Sequence, residues 1–331
     1  MIPLSVLDLS FIRDDGTVRE ALLESRDQAL HAEALGYHRY WVAEHHAMPG
    51  IASAATSVVI GHLAAATQRM RVGAGGIMLP NHAPLVIAEQ FGTLEALFPG
   101  RIDLGLGRAP GSDQRTMRAL RRHGDHAERF PDDVQELMAY FTPYGAPNGV
   151  VATPGAGADI PVWLLGSSLF SAQLAAALGL PFAFASHFAP QMMEQAIDLY
   201  RTSFRPSAHL AAPHVMLAMN VIAADTAEEA DYLATSRRLF VAALRQGRPG
   251  RVLPPILPED LPWSREISQQ LDTVQATSLI GTREQVAEGM AAFAARHAPD
   301  ELMISAPIYA PEARLRALTL AREAWHMAGL D

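Results

Sequence analysis

The sequence predicts an α/β protein, specifically a (β/α)₈ barrel, and three observations support this fold class. Eight short apolar runs alternate with amphipathic segments along the whole chain. The runs are almost continuously apolar, as expected for parallel strands that are covered on both faces. Polar or glycine-rich residues end several different runs, whereas a doubly wound sheet gathers its ligand at one switch point. We therefore favour a barrel over a doubly wound sheet.

The predicted elements follow one another in regular order. We predict strands at 3–9, 38–45, 70–79, 101–107, 161–166, 182–187, 214–223 and 301–307. We predict helices at about 17–35, 53–66, 84–97, 128–141, 169–178, 190–203, 226–246, 283–296 and 311–328. The first helix begins with a capping-box pattern, Thr17 followed by Glu20, and stops at Gly36. Eight strands alternating with helices are the pattern of a closed barrel.

Residues 248–278 lengthen the region between the seventh and eighth strands of the predicted barrel. This segment holds five prolines and ends its proline-rich part with Trp263. Long insertions in compact domains are commonly lids. We therefore expect one barrel domain over residues 1–331, with a mobile lid at 248–278.

Composition narrows the class of function. The net charge is −9, and no basic stripe stands out, so binding to nucleic acid is not expected. No apolar run approaches the roughly 20 residues of a membrane helix, and no basic, signal-like segment begins the chain. We expect a cytoplasmic protein with a small-molecule partner.

Two residue types are missing from the chain. There is no cysteine, which excludes thiolate nucleophiles, disulfides and thiolate metal sites. All 26 basic residues are arginine, which excludes Schiff-base chemistry and the lysine of a P-loop. Any phosphate held by a charged side chain must therefore be held by arginine.

The second predicted strand ends in Glu44, His45 and His46. Alternation along a strand sends His45 to one side and the other two side chains to the opposite side. His45 is therefore a candidate general base or hydrogen-bond donor to a ligand, and the alternative is a packed, hydrogen-bonded histidine. Adjacent histidines that point apart are poor joint metal ligands, and we expect no metal site.

An anion site is predicted from residues that follow the fourth and fifth strands. Arg108 ends the fourth strand, and a guanidinium binds phosphate well. Gly166, Ser167, Ser168 and Ser171 begin the next helix, where free N–H groups and hydroxyls attract an anion. A plain salt bridge and an ordinary serine N-cap are the alternatives.

Three further groups of residues are noted at strand ends. Gly75 and Gly76 weaken the third strand, so we expect a close approach of a flat ligand or an unusual peptide geometry there. His82 and His187 are candidate lining residues at the same mouth, or alternatively surface histidines. The methionines are expected to fill the core, namely Met78, Met216 and Met219.

Four motifs in order resemble the bacterial luciferase-like, flavin-dependent monooxygenase family. They are Tyr40 to His46, Gly75 to Pro80, Gly100 to Arg108 and Leu165 to Ser168. The resemblance implies a (β/α)₈ barrel that binds reduced FMN and uses O₂, through a flavin hydroperoxide, to oxygenate a small organic substrate.

The resemblance also implies roles for individual residues. His45 matches the active-site histidine of the family, and Arg108, Ser168 and Ser171 match the contacts to the FMN phosphate. Gly75 and Gly76 match the site of a non-prolyl cis peptide beneath the flavin. Gly166 and Ser167 are predicted to bind the cofactor from their place at the helix start, and Ser167 departs from luciferase itself, which has an acid there. Glu44, His82 and His187 are candidates for the substrate pocket.

The resemblance further implies partners and alternatives. Reduced flavin would come from an NAD(P)H-dependent flavin reductase, and a homodimer would form through the second and third helices, with Val58, Val59, Ile60 and Leu63 of the second helix as candidates for the contact. One alternative function is a deazaflavin-dependent dehydrogenase of the same superfamily, and another is a flavin-binding protein without turnover. A third alternative, which rests on the histidines and not on the resemblance, is a metal-dependent hydrolase built on His45, His46 and His187.

Overall fold

The structure is a computed structural model that describes residues 1–108, 114–122, 127–145, 149–264, 267, 271 and 277–331. Its strands are β1 Leu4–Asp8, β2 Arg39–Val42, β3 Arg71–Met78, β4 Ile102–Gly107, β5 Val162–Gly166, β6 Phe182–Phe184, β7 Val215–Ala223, β8 Ser278–Gly281 and β9 Glu301–Ser305. All strand pairings in the sheet are parallel.

Eight of these strands close into a barrel. Neighbouring strands pair in chain order from β1 to β6, β6 pairs with β7, β7 pairs with β9, and β9 returns to β1. The predicted (β/α)₈ barrel is therefore confirmed. Its eight strands coincide with the eight predicted ones to within a few residues, the sixth being the shortest.

Helices surround the barrel. They are α1 Val18–Ala34, α2 Thr56–Ala66, α3 Pro84–Leu97, α4 Gln114–Ala119, α5 Phe130–Tyr140, α6 Leu169–Leu178, α7 Met193–Ser203, α8 Ala227–Arg245, α9 Arg283–His297 and α10 Pro311–Met327. The predicted capping box is present at α1, where the Thr17 hydroxyl accepts from the Glu20 N–H group and Glu20 accepts from Thr17. Every helix among the described residues is too short or too polar to span a bilayer.

The strand β8 was not predicted from the sequence. It extends the sheet beside the C-terminal half of β7, where Asn220 pairs with Ser278 and Ala223 with Gly281. Only four residues long, it carries too short a pattern to be recognised by period. The predicted insertion thus ends where this additional strand begins.

The predicted lid at 248–278 is only partly among the described residues, because 265–266, 268–270 and 272–276 lie outside them. Its first part is tied to the start of the chain. The Val252 N–H donates to Ile12 O (3.0 Å), and Val252 O accepts from the Asp14 N–H (2.9 Å). Val252 also packs in a small apolar cluster with Phe11 and Ile51. Whether 248–278 moves as a lid stays a prediction.

A buried layer of charge closes the N-terminal end of the barrel. Arg39 donates from Nη1 to Asp103 Oδ2 and from Nε to Glu301 Oε1, both at 2.7 Å. Arg71 Nε donates to the other Asp103 oxygen at 2.8 Å, and the Trp41 indole donates to Oδ2 at 3.0 Å. The two carboxylates are thus buried but compensated, so this end of the barrel is closed by ion pairs.

The apolar residues proposed for pairing on α2 divide between two faces. Val58 is 71% exposed, whereas Val59, Ile60 and Leu63 are buried in the core of the same chain. The helical period explains this, because residues 59, 60 and 63 share one face and residue 58 lies away from it. A partner surface on α2 would therefore use Val58 and not the other three.

Candidate active site

A cavity of about 330 Å³ opens at the C-terminal ends of the barrel strands. Its floor is apolar and comes from strand positions that face the barrel interior, among them Leu7, Trp41, Met216 and Met303. Polar residues line its upper part. The eight residues predicted to be catalytic or to bind the cofactor all lie in this lining, and so does His187. The eight are His45, Gly75, Gly76, Arg108, Gly166, Ser167, Ser168 and Ser171.

The predicted anion site lies at one end of the cavity. Ser168 is the N-cap of α6, but its hydroxyl makes no capping hydrogen bond to the helix. Ser171 is buried one turn later, and a Cβ on Gly166 would lie only 2.2 Å from the Ser171 hydroxyl oxygen. Glycine at position 166 therefore lets the helix start approach the end of β5 closely.

Arg108 reaches the same end of the cavity from β4. Its guanidinium carbon lies 4.1 Å from the centroid of the Phe170 ring, in the first turn of α6. Stacking on an aromatic ring orients a guanidinium without consuming its N–H donors. Arg108 and the N-terminus of α6 thus put one positive charge and several N–H and O–H donors in one place.

Close contacts with neighbouring strands explain why β3 contains two adjacent glycines. The peptide bond between Gly75 and Gly76 is cis, at the position that the family resemblance implied. A Cβ on Gly76 would lie 2.7 Å from the Gly105 carbonyl oxygen, and one on Gly75 would lie 2.9 Å from the Leu7 side chain. Only glycine fits at position 76, because a Cβ there would meet the backbone of β4, whereas a Cβ at position 75 would press on the side chains of Leu7 and Trp41.

Two imidazoles face the cavity. Burial lowers the pKa of His45, although the nearby Glu44 carboxylate opposes this. Burial, helped by Arg237 and by His45, lowers the pKa of His187 to about 3. Among the described residues, the buried Nδ1 atoms of both histidines have no hydrogen-bond partner. Both rings are therefore neutral near pH 7, and each can form hydrogen bonds with a ligand in the cavity.

Glu44 and His82, which we predicted to line the substrate pocket, lie outside the cavity lining. Glu44 is buried behind the end of β2, and its carboxylate accepts hydrogen bonds from His46, His82 and the Met78 N–H. Burial alone would raise the pKa of Glu44, but these bonds outweigh it and the pKa is lowered. The predicted alternation holds, because His45 faces the cavity and Glu44 and His46 face the other way.

The metal site considered for a hydrolase does not form. His45 and His187 line the cavity, whereas His46 bonds to Glu44 on the opposite side of the strand end. Among the described residues, the group with converging metal-ligand atoms is instead Glu44, His46 and His82. A hydrolytic metal in the cavity is therefore not supported.

Some lining residues were not recognised in the sequence. Met78 was expected to fill the core but lines the cavity. Met216 and Met219 are buried in the core as expected, and Met216 also contributes to the cavity floor. Phe184, Phe188 and Leu165 were also missed. Alternation along β5, β6 and β7 carries a weak signal for inward-facing positions, but it does not separate a filled barrel from one with a cavity.

Comparisons with known proteins identify the family. The family model described as luciferase-like monooxygenase matches residues 2–299. A luciferase-like monooxygenase of Escherichia coli strain K12 is 53% identical over 324 residues, which is 97% of this chain and 96% of the relative. An N-acetyl-S-alkylcysteine monooxygenase of Bacillus subtilis is 36% identical over 318 residues and 93% of each chain.

Solved structures agree in fold. The crystal structure of apo-MsnO8 superposes with a TM-score of 0.90 at 33% identity, covering 98% of this chain and 99% of that one. The oxygenating constituent of 3,6-diketocamphane monooxygenase from Pseudomonas putida, in complex with FMN, has a TM-score of 0.72 at 17% identity and 97% and 96% coverage. An F420-dependent secondary alcohol dehydrogenase has a TM-score of 0.67 at 12% identity, with 97% coverage of both chains.

The family match and the relatives cover almost the whole chain, and all four motifs lie inside the matched residues. The resemblance read from those motifs is confirmed. The protein is an oxidoreductase of the luciferase-like monooxygenase family.

Proposed function

We propose that this protein is a monooxygenase that binds reduced FMN in the barrel cavity and uses O₂ to oxygenate a small organic substrate. The observation that carries the proposal is the pairing of Arg108 with the N-terminus of α6 at one end of a largely apolar cavity. FMN has this distribution of chemistry, with one dianionic phosphate and one flat, largely apolar ring system.

The residues fit the phosphate end of FMN. With no lysine in the chain, a phosphate needs arginine and N–H donors, and both are present beside α6. Ser168 keeps its hydroxyl out of the helix cap, and Ser171 adds a second hydroxyl one turn later. The anion would thus be held by charge and by the helix dipole together.

The rest of the cavity suits the ring system. The cis Gly75 to Gly76 segment presents backbone without side chains to one side, and the floor is formed by apolar groups such as Leu7 and Met303. Bound reduced FMN supplies the two electrons that O₂ activation requires. An apolar floor keeps water away from that chemistry, which favours transfer of oxygen to the substrate over loss to solvent.

His45 is the proposed catalytic residue. It lines the cavity with a lowered pKa, so near pH 7 its neutral ring accepts a proton at one nitrogen, becoming imidazolium, or donates the N–H of the other nitrogen in a hydrogen bond. His187 contributes a second neutral ring. Glu44 and His82 lie outside the cavity, where their hydrogen bond joins the chain after β2, which carries His45, to the chain after β3.

The source of reduced flavin and the substrate are parts of the same proposal. Following the resemblance to the luciferase-like family, an NAD(P)H-dependent flavin reductase is the proposed source of reduced FMN. The relative that acts as an N-acetyl-S-alkylcysteine monooxygenase supports thioethers as a substrate class to test first, with ketones second. Residues 248–278 are the proposed cover of the cavity, and a homodimer is proposed on the side of Val58.

A deazaflavin-dependent dehydrogenase is the second candidate, because the F420-dependent secondary alcohol dehydrogenase shares the fold over nearly the whole chain. Both cofactors are flat rings with phosphate, so the anion site by itself does not separate them. The dehydrogenase reaction transfers hydride and consumes no O₂, and this difference decides between the two.

The test is an anaerobic titration with photoreduced FMN, followed by addition of O₂ and of thioether or ketone substrates. We expect stoichiometric binding of reduced FMN, O₂ uptake, and product carrying one atom of ¹⁸O from labelled O₂. Binding of the deazaflavin coenzyme with no affinity for reduced FMN would move the protein to the dehydrogenase branch. Tight FMN binding without product from any substrate would favour a flavin-binding protein without turnover.

A further inference from the structure

Glu44, His46 and His82 form a group of metal-ligating side chains behind the end of β2, outside the cavity. The Nε2 atom of His46 lies 2.7 Å from Glu44 Oε1, and the Nε2 atom of His82 lies 2.9 Å from both carboxylate oxygens. One potential ligand atom from each residue lies within 4.8 Å of the others. We propose that these three side chains bind a divalent transition-metal ion, with Zn²⁺ as the reference ion.

The donor set matches such an ion. Two imidazole nitrogens and one carboxylate oxygen are ligands that Zn²⁺ and its first-row neighbours take in proteins. Bonds of about 2.0–2.1 Å in tetrahedral geometry put the ligand atoms about 3.3 Å apart. The nitrogen–oxygen distances observed here would each widen by only about half an ångström to admit the ion. Both rings already present Nε2 to the same carboxylate.

The surroundings also suit a bound ion. The Glu44 side chain is 1% exposed, whereas those of His46 and His82 are 18% and 26% exposed. An ion would therefore sit on a buried carboxylate and be reached from the histidine side, and a water molecule would complete its tetrahedral coordination. The Met78 N–H and the Asn81 side-chain amide donate to the carboxylate at 3.0 and 3.2 Å, and such outer contacts orient metal ligands.

The site would connect two strand ends that carry the cavity wall. Glu44 and His46 follow β2, and His82 follows the short helical turn Leu79–Asn81 after β3. His45 lies between two of the ligands in sequence but faces the cavity. A metal ion would therefore fix the main chain on both sides of the proposed catalytic histidine while remaining outside the cavity. Its role would be structural.

The experiment uses the full-length protein without flavin, so that its result does not depend on the proposed cofactor. Chelator-treated protein is titrated with Zn²⁺ by calorimetry, and with Co²⁺ by visible absorption, which reports direct ligation. We expect one ion per chain and an increase in Tm with either ion. Hydrogen exchange of the amides of residues 43–47 and of residues 79, 81 and 82 should slow when the ion binds.

Three variants locate the ion. His46→Gln and His82→Gln should each lower the affinity for Zn²⁺ at least about 100-fold, because even the partners of ligands are worth about 10- to 100-fold. His209→Gln, which changes an exposed histidine, should bind as the unaltered protein does. Circular dichroism checks the fold of each variant, and either ligand variant that folds suffices.

Two results would overturn the proposal. One is the absence of stoichiometric Zn²⁺ and Co²⁺ binding by the unaltered protein, which would make the group a hydrogen-bonded network of one carboxylate and two imidazoles. The other is binding that His46→Gln and His82→Gln leave unchanged, which would place the ion elsewhere on the surface.

Discussion

The guanidinium of Arg39 lies 2.7 Å from Asp103 and 2.7 Å from Glu301, and so joins β2 to β4 and to β9 across the N-terminal end of the barrel. The same guanidinium lies 4.9 Å from the centroid of the Trp163 ring. One side chain thus links four strands at the end of the barrel away from the cavity. Residues at that end of a (β/α)₈ barrel contribute to stability, while the opposite end carries the chemistry.

Arg39→Met should lower the free energy of unfolding by about 3–5 kcal/mol, since it leaves two buried carboxylates short of a partner. Urea denaturation measures this change. Arg296→Met is the matched control, because Arg296 pairs with Glu194 on the surface. Such exposed pairs are worth about 0–1 kcal/mol. Equal losses in the two variants would show that the buried layer is not a special source of stability.

Arg108→Ala should weaken binding of reduced FMN by about 1.5–3 kcal/mol, the value of a hydrogen bond to a charged group. The reason is the loss of the one cation that lines the described cavity. The measurement is an anaerobic titration monitored by ultrafiltration or fluorescence. Arg296→Ala, a change at an exposed arginine, should bind FMN as before, and unchanged binding by the Arg108 variant would remove Arg108 from the phosphate site.

Ser168→Ala should weaken FMN binding and leave stability almost unchanged, because the Ser168 hydroxyl makes no capping bond to α6. Thr226→Ala should do the reverse. The Thr226 hydroxyl accepts from the Glu229 N–H at 3.1 Å, and loss of such a cap costs about 1 kcal/mol. Measuring both Tm and FMN affinity for each variant distinguishes a phosphate-binding role of Ser168 from a helix-capping role. A larger stability loss at Ser168 than at Thr226 would make Ser168 an ordinary cap.

His45→Ala should bind reduced FMN normally but form product about 100-fold or more slowly, the scale of a lost acid–base group. The assay uses a thioether or ketone that the unaltered protein oxygenates, and it measures product together with H₂O₂ release. His209→Gln controls for general effects of losing an imidazole. Product formation by the His45 variant at the unaltered rate and coupling would assign His45 a packing role.

The stability of the protein should fall below about pH 6.5 in part because of His187. Its pKa is about 3 in the folded chain, so the folded protein holds the ring neutral while the unfolded chain protonates it near pH 6.5. The unfolded state therefore binds the extra proton, and the free energy of unfolding decreases as the pH falls from 6.5 toward 3. Between pH 7.5 and 5.5 the contribution of one such group is about 1 kcal/mol.

His187→Gln removes this proton uptake. The loss of unfolding free energy from pH 7.5 to 5.5 should be smaller in this variant by about 1 kcal/mol, as measured by urea denaturation at both pH values. An identical pH dependence in the two proteins would mean that His187 is protonated as readily in the folded chain as in the unfolded one.

Most of the barrel was predictable because each strand and helix carries its own local pattern. The eight barrel strands are apolar runs, and helices such as α1 and α8 begin at capping threonines. The strand β8 was missed because four residues carry no period. The buried pairs of Arg39 and Arg71 were missed because their partners lie 32 to 262 positions away along the chain.

The sequence by itself determined the fold class, the family and a set of candidate site residues that the structure brings to one cavity. It did so because backbone preference, strand alternation and short motifs are properties of neighbouring residues. The absence of lysine likewise left arginine as the candidate cation for the proposed phosphate site, without any reference to shape.

Only the tertiary structure decided which side chains share a space. It put Met78 and Met216 in the cavity lining and removed Glu44 and His82 from it. It also brought His82 within 2.9 Å of Glu44, 38 residues earlier in the chain. The physical reason is that barrel closure sets these distances through the register of all eight strands together, and no local pattern encodes that register.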